Sequence, residues 1–217
     1  MWLLLIIINL ILIIIFLINY ILYWIINQKI KVSNTKVWNF YKKLYLILWS
    51  IPIVSLPIIN SSFFSQYNGQ ESYFREYWIW FLILGIIYIG VSMKLGMMSI
   101  NKREYIDNGN KKLNIKGAYE IMRHPMYTDW ALTFLGLSFI FDSVISLICA
   151  PFLLLLLELQ AILEERFIFI PKYGAKRVES YKKKTPYRIF PTPYNGLLVI
   201  IAIFVVYIGI LNFFISN

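Results

Sequence analysis

Long runs of apolar residues are the feature that most restricts how this chain can fold. A helix needs about 20 apolar residues to cross the roughly 30 Å hydrocarbon core of a bilayer. Apolar residues make up 59% of the 217 residues and concentrate in runs of about that length. The predicted spans are 2–26, 44–59, 78–98, 197–214 and a pair of spans within 128–163. The sequence therefore predicts an all-α, polytopic membrane helical bundle of about six transmembrane helices with short interfacial helices, forming one integral membrane domain over 1–217.

The stretch 128–163 is too long for one crossing and is interrupted by Asp142-Ser143. We expect a tight helical hairpin there, with a very short turn at the interruption. Because a tight turn places the two far helix ends side by side, residues just before 128 should meet residues just after 163.

The basic residues predict the orientation of the bundle. The connections 27–43, 94–127 and 164–193 are alternate connections in a six-span chain, and they carry 20 of its 21 Lys and Arg residues. The positive-inside rule places all three in the cytoplasm and both termini on the other side. Membrane lipids are the partners that this charge suits. Nucleic-acid binding is excluded as a function, because the charge is spread over three loops instead of one face.

Two groups of polar residues flank the predicted hairpin. Arg123, His124 and Pro125 precede it, and proline is favoured in a first helical turn, where free N–H groups attract anions. Glu164 and Glu165 follow it, so we expect them to meet Arg123 and His124. This meeting would be either a functional site or a structural Arg-Glu clasp.

Further charged residues lie on both sides of these glutamates. Glu158 and Glu165 are seven residues apart, so they share a helix face, and a carboxylate as deep as Glu158 tends to face a cavity. The run 182–184 consists of three lysines, which we expect to be solvated on an interfacial helix.

These motifs resemble a known family. RHPMY at 123–127 is followed by EERF at 164–167, then by Tyr173-Gly174, Tyr181, Arg188 and Pro191. The ordered set, which covers about 115–192, is similar to the isoprenylcysteine carboxyl methyltransferase family and its phospholipid N-methyltransferase relatives. The resemblance implies a methyltransferase-like cofactor-binding core at 115–192 and S-adenosylmethionine as the cofactor, bound at the cytoplasmic face.

The resemblance also implies roles for individual residues, with no metal among them. Arg123 and Glu165 would be catalytic. The cofactor-binding residues would be Tyr119, His124, Pro125, Tyr127, Glu164, Glu165, Tyr173 and Tyr181. Within this set, Glu164 could instead hold Arg123 or Arg188.

The acceptor is expected to be lipophilic or lipid-modified, such as a prenylcysteine-like carboxylate. A glycine is common in the family where this chain has Asp129 before Trp130, so the acceptor could differ from prenylcysteine. The residues assigned to the acceptor are Asp129, Trp130, Glu158 and Arg188.

Two other functions stay open on the sequence alone. One is a nicotinamide-dependent membrane sterol or lipid reductase, whose superfamily has a similar membrane core. The other is a non-catalytic membrane protein in which the Arg-His and Glu-Glu pairs form a clasp. The ordered set RHPMY, EERF, YG and RIFP favours the methyltransferase, because a clasp would not require it.

The predicted topology can be tested by labelling single introduced cysteines in intact cells, in a background with Cys149 replaced. We expect a membrane-impermeant thiol reagent to label Asn68→Cys, in a connection that carries only Arg75, and to leave Lys112→Cys and Lys183→Cys unlabelled. Ready external labelling at Lys112 or Lys183 would contradict the six-span orientation.

Overall fold

A computed structural model describes residues 35–61, 78–99, 104–107, 110–113 and 116–191, together with Tyr207 and scattered residues between 7 and 22. The predicted span 2–26 is therefore described only in part. The predicted span 197–214 lies outside the described residues except for Tyr207.

The described part is mainly helical. Its helices are α1 (Thr35–Ile59), α2 (Trp78–Ser99), α3 (Ala118–Ile121), α4 (Pro125–Ile140), α5 (Val144–Glu164), α6 (Ile170–Tyr173) and α7 (Ala175–Lys184). A π-helical turn, Glu165–Phe169, joins α5 to α6 without a break. The predicted bundle of helices is thus present, with two short helices after the long one.

The number of membrane spans is supported only in part. Among the described residues, two helices are long and apolar enough to cross a bilayer, Trp78–Ser99 and Val144–Tyr173. The helix α4 has 16 residues, which corresponds to a length of about 24 Å, and in α1 the apolar portion is Ile47–Ile59. The fold therefore supports a membrane protein, while six spans remain a prediction.

The tight hairpin is confirmed. Its helices α4 and α5 are separated by the three residues 141–143, where Asp142 adopts a positive φ of 49°. The backbone N–H of Ser143 donates to the carbonyl of Ser138 at 2.8 Å and closes the turn. The hairpin begins at Pro125 instead of 128, because proline occupies the first turn of α4.

The all-α prediction missed one short β-hairpin. Strand β1 (Glu104–Asp107) pairs antiparallel with β2 (Asn110–Leu113), with Asp107 opposite Asn110. The sequence between the strands is Asn108-Gly109, the dipeptide that most strongly favours a two-residue hairpin turn. A search for apolar helical runs passes over such a polar pair of strands.

The helix α4 lies at the centre of the bundle and contacts α1, α2 and α5. Its buried residues include Ala131, Phe134, Leu135 and Phe139, which join the main apolar core. A helix that is apolar on all sides is suited to such a central position. This packing fixes the N-terminal end of α4, which follows Arg123 and His124 directly.

Two glycines bring α2 and α4 into close contact. A Cβ atom added to Gly85 would lie 2.7 Å from the carbonyl oxygen of Gly136, and one added to Gly136 would lie 3.0 Å from that of Gly85. Small residues of this kind let helix backbones approach closely in membrane proteins. The crossing point of α2 and α4 therefore depends on the absence of side chains at both positions.

Gly85→Ala should destabilise the protein by about 1–3 kcal/mol, because the added methyl group forces two helix backbones apart. Gly90→Ala is the matched control, since a Cβ there meets no atom within 4 Å. Thermal unfolding of both variants in detergent provides the measurement. Equal unfolding temperatures for the two variants would show that the helices do not cross at Gly85.

Candidate functional site

The start of α4 is held in place by the chain segment that follows α7. The backbone N–H groups of Arg123 and His124 donate to the carbonyls of Tyr187 and Arg188, each at 2.9 Å. The hydroxyl of Thr128 donates to the carbonyl of Ile189 at 2.6 Å. These bonds bring RHPMY and RIFP, which are 60 residues apart in sequence, into direct contact.

Arg123 is buried and forms three strong contacts. Its Nε lies 2.7 Å from Oε1 of Glu165, and its Nη1 donates to the carbonyls of Thr185 and Pro186 at 2.6 and 2.7 Å. Charge-assisted bonds of this length are among the stronger interactions in proteins. Arg123 therefore links the π-helical turn to the segment after α7.

His124 is fully buried between the two glutamates. Its Nδ1 lies 3.1 Å from Oε2 of Glu164 and its Nε2 lies 3.3 Å from Oε1 of Glu165. The hydroxyl of Tyr127 also donates to Oε2 of Glu164, at 3.0 Å. The imidazole ring stacks between Tyr127 and Phe169, with ring centroids 5.3 and 5.5 Å away. The predicted meeting of Arg123 and His124 with Glu164 and Glu165 is thus confirmed.

Two further cations complete this group of charges. Lys182 Nζ lies 2.9 Å from Oε2 of Glu165, so the prediction that all three lysines at 182–184 are solvated is wrong for Lys182. Arg188 pairs with Glu158, and its Nε also lies 3.5 Å from Oε1 of Glu165. Because Arg188 reaches both carboxylates, the predicted common face of Glu158 and Glu165 is confirmed.

Together these side chains form a compact cluster with charges of both signs. We call it the charged cluster, and its members are Arg123, His124, Glu158, Glu164, Glu165, Lys182 and Arg188. It contains three carboxylates, two guanidinium groups, one ammonium group and one imidazole. Arg123 and Arg188 pair with Glu165 and Glu158, whereas Glu164 contacts His124 and Tyr127, so the suggestion that Glu164 holds an arginine is not supported.

Burial divides the charged cluster into an inner and an outer part. The side chains of Arg123, His124 and Glu165 are 5%, 0% and 2% exposed. Those of Lys182, Arg188 and Glu158 are 37%, 27% and 39% exposed. A molecule approaching the cluster would therefore meet the lysine and the Glu158–Arg188 pair first.

The tyrosines assigned to the cofactor lie around the cluster. Tyr173 and Tyr181 are buried with Phe169 and Val178 in a small apolar group. Tyr119 is buried too, and its carbonyl accepts a bond from the Thr185 hydroxyl at 3.2 Å. These three side chains pack beside the elements that carry the charges.

The two acceptor candidates of α4 lie against other helices. Asp129 accepts a hydrogen bond from the hydroxyl of Ser92 in α2, and that hydroxyl is also 2.6 Å from Thr133 Oγ1. Trp130 stacks on Trp49 of α1, with ring centroids 5.0 Å apart. Asp129 thus joins α4 to α2, and Trp130 joins it to α1.

Sequence reasoning missed the π-helical turn at Glu165–Phe169. Such turns recur at functional sites, because they change the direction of side chains within one helix. Pro171 was the available signal. It has no N–H to donate to the carbonyl of Phe167, so one α-helical hydrogen bond is missing at this point.

The fold and the charged cluster define a helical membrane protein with a buried polar site at one end. Residues 78–176 match the phospholipid methyltransferase family, which belongs to the isoprenylcysteine carboxyl methyltransferase-like group of membrane methyltransferases. The matched segment runs from α2 into α7 and contains RHPMY and EERF. The predicted family resemblance is therefore confirmed, and it begins earlier in the chain than the motifs alone indicate. No curated protein and no solved structure shows a significant match to the chain.

Arg123→Gln should cost about 3–5 kcal/mol of stability, since it leaves the buried carboxylate of Glu165 without its closest partner. Arg188→Gln removes the same charge from a more exposed position and should cost about 1 kcal/mol or less. Thermal unfolding in detergent compares the two variants directly. An Arg123 variant as stable as the Arg188 variant would mean that the buried ion pair does not hold this end of the bundle together.

Proposed function

We propose that this protein is an integral membrane methyltransferase that uses S-adenosylmethionine to methylate a lipophilic acceptor. One observation carries the proposal: the charged cluster is assembled mainly from residues inside the segment that matches a methyltransferase family. A structural clasp could be made from any ion pair. It would not need a histidine between two glutamates in that family segment.

The chemistry of the charged cluster suits S-adenosylmethionine. This cofactor carries an ammonium group, a carboxylate and ribose hydroxyls, and the cluster offers partners of both signs. Glu164 and Glu165 would accept from the ammonium group or the hydroxyls, while Arg123 would face the carboxylate. The same site would be lined by His124, Pro125, Tyr119, Tyr127, Tyr173 and Tyr181. When bound, the cofactor supplies a methyl group that its sulfonium already activates.

The remaining tasks of the protein are to bind and orient the cofactor and the acceptor, and to exclude water. Glu165 is held by Arg123 and Lys182 at 2.7 and 2.9 Å, so its carboxylate is oriented before any ligand arrives. These two cations also offset its negative charge. This balance matters because a carboxylate that held a cationic donor too tightly would favour the ground state over the transition state.

The acceptor would approach through the outer part of the cluster. The Glu158–Arg188 pair is partly exposed and lies beside Glu165. Arg188 suits a carboxylate or phosphate acceptor, and Glu158 suits an amine. Ionisable residues within a membrane span commonly mark a substrate pathway. Asp129 and Trp130 would shape the neighbouring wall through their contacts with α2 and α1.

An apolar cavity supports a lipophilic acceptor. It has a volume of about 320 Å³ and is lined by Pro52 and Ile53 of α1, Phe134 of α4, and Phe152 and Leu156 of α5, among others. Leu156 and Glu165 are nine positions apart, which corresponds to about 14 Å along a helix. An acyl or prenyl chain is long enough to occupy the cavity while its polar end reaches the cluster.

In the proposed orientation, the charged cluster faces the cytoplasm and both termini lie on the other side. The non-catalytic clasp is the competing function, and the three hydrogen bonds that Arg123 already makes within the protein favour it. Cofactor binding separates the two, because a clasp has no reason to recognise S-adenosylmethionine.

The proposed function predicts that the purified protein binds S-adenosylmethionine in neutral detergent with a Kd in the micromolar range. This Kd corresponds to a binding free energy on the order of −7 to −8 kcal/mol. Glu165→Gln and His124→Ala should each lower methyl transfer to a lipid extract by about 100-fold or more, because a displacement of about 1 Å is enough to misalign the methyl group. Methyl-labelled cofactor and calorimetry provide the two measurements, each on the monodisperse fraction.

Glu120→Gln is the matched control, since it makes the same chemical change at an exposed position of α3. It should retain both binding and transfer. Binding of NADPH in place of S-adenosylmethionine would identify a reductase instead. Poor accumulation of Glu165→Gln and His124→Ala, with normal cofactor affinity in the protein that remains, would show that these residues hold the structure together and do not bind the cofactor.

A further inference from the structure

The helix α7 has two faces of different character. Val178 and Tyr181 point inward and are 1% and 5% exposed, packed against Phe169 and Tyr173. The opposite face is exposed and carries four basic residues and one acidic residue. We call it the outer face, and its charged members are Lys176, Arg177, Glu179, Lys183 and Lys184.

The position of α7 relative to the long helix before it indicates what this surface meets. The helix Val144–Tyr173 contains 30 residues, a length of about 45 Å. A bilayer with its headgroups is about 40–45 Å thick. Phe167 and Ile170, near the end of this helix, are 44% and 36% exposed, as expected for residues that contact lipid. The helix α7 therefore begins at the depth of the headgroups.

Gly174 lets the chain change direction between the two helices. It has a φ of 83°, a conformation that residues with a side chain rarely adopt. The helix α7 starts directly after it, with its basic residues exposed and its apolar residues against the protein. Its outer face can thus contact headgroups without inserting apolar residues into the bilayer.

The same helix is connected to the charged cluster. Lys182 lies between the two faces and reaches Oε2 of Glu165 at 2.9 Å. Thr185, the residue after α7, accepts a bond from Arg123 at 2.6 Å. Any interaction that fixes the position of α7 therefore also fixes contacts of both Arg123 and Glu165.

We propose that the outer face of α7 is a docking surface for anionic lipid headgroups, and that docking holds Lys182 against Glu165. The inference rests on the proposed function only where it concerns the cofactor. Clustered Lys and Arg beside a membrane helix attract anionic lipids, and the attraction is screened by salt. With four basic residues and only one acidic residue, Glu179, this face has the net positive charge that attracts such lipids. The bound lipid would thereby hold Lys182 and Glu165 in place without itself entering the charged cluster.

The docking can be measured with the full chain in nanodiscs of phosphatidylcholine, with and without phosphatidylglycerol. A fluorophore is placed at Ser180→Cys in a Cys149→Ala background, and energy transfer to a headgroup-labelled lipid reports the approach of α7. We expect transfer to rise with phosphatidylglycerol and to fall again at high salt.

Matched variants separate charge from shape. Replacing Lys176, Arg177, Lys183 and Lys184 together by Gln should abolish the response. Replacing the three lysines by Arg should preserve it. No response to phosphatidylglycerol in the unmodified face, or an equal response in the Gln variant, would overturn the docking surface. A face that ignores the lipid but binds polyglutamate would identify an acidic protein segment as the partner and would also overturn the proposal.

The coupling to the site is measured by the Kd for S-adenosylmethionine in the same discs. We expect phosphatidylglycerol to raise the affinity of the unmodified protein on the order of tenfold. It should leave the affinity of the Gln variant unchanged. An equal Kd in both lipids would overturn the coupling. Absence of cofactor binding in every disc would refute the proposed function instead, while the energy transfer still tests the docking surface.

Discussion

The ion pair between Arg123 and Glu165 is the interaction on which this end of the bundle depends. It joins the segment before α4 to the π-helical turn after α5, and the same guanidinium reaches the carbonyls of Thr185 and Pro186. A buried charge is tolerated only when it is paired and its remaining hydrogen bonds are made. Here the pairing draws together three segments that are far apart in sequence. The remaining members of the charged cluster lie next to this ion pair. His124, Lys182 and Arg188 each contact Glu165.

The surrounding helices supply the rigidity that this pairing needs. The central helix α4 is buried on several sides, crosses α2 at Gly85 and Gly136, and carries Arg123 and His124 immediately before its first turn. A close backbone contact cannot slide without a steric clash, so the first turn of α4 has one position relative to α2. The apolar part of the chain thereby positions the polar site, which it contacts through Tyr127 and Phe169 on either side of His124.

The sequence predicted the parts of this arrangement that follow from periodicity and chain length. The hairpin, its turn at Asp142-Ser143 and the meeting of His124 with the glutamates all follow from two apolar runs joined by a short break. The partner of Lys182 did not, because it depends on how α7 folds back after Gly174. The β-hairpin was also missed, since its signal is a turn dipeptide and not an apolar period.

The π-helical turn makes the length of this segment as important as its composition. Glu164 and Glu165 are consecutive, yet they reach the two nitrogens of one imidazole, and the widened turn begins at Glu165. A π-helical turn takes in one more residue than the α-helical turn that it replaces. Deleting a single residue between 165 and 169 would therefore return the segment to ordinary α-helical bonding while α7 kept nearly the same direction. The side chains inside the segment, Glu165 among them, would change direction instead, even with every other motif intact.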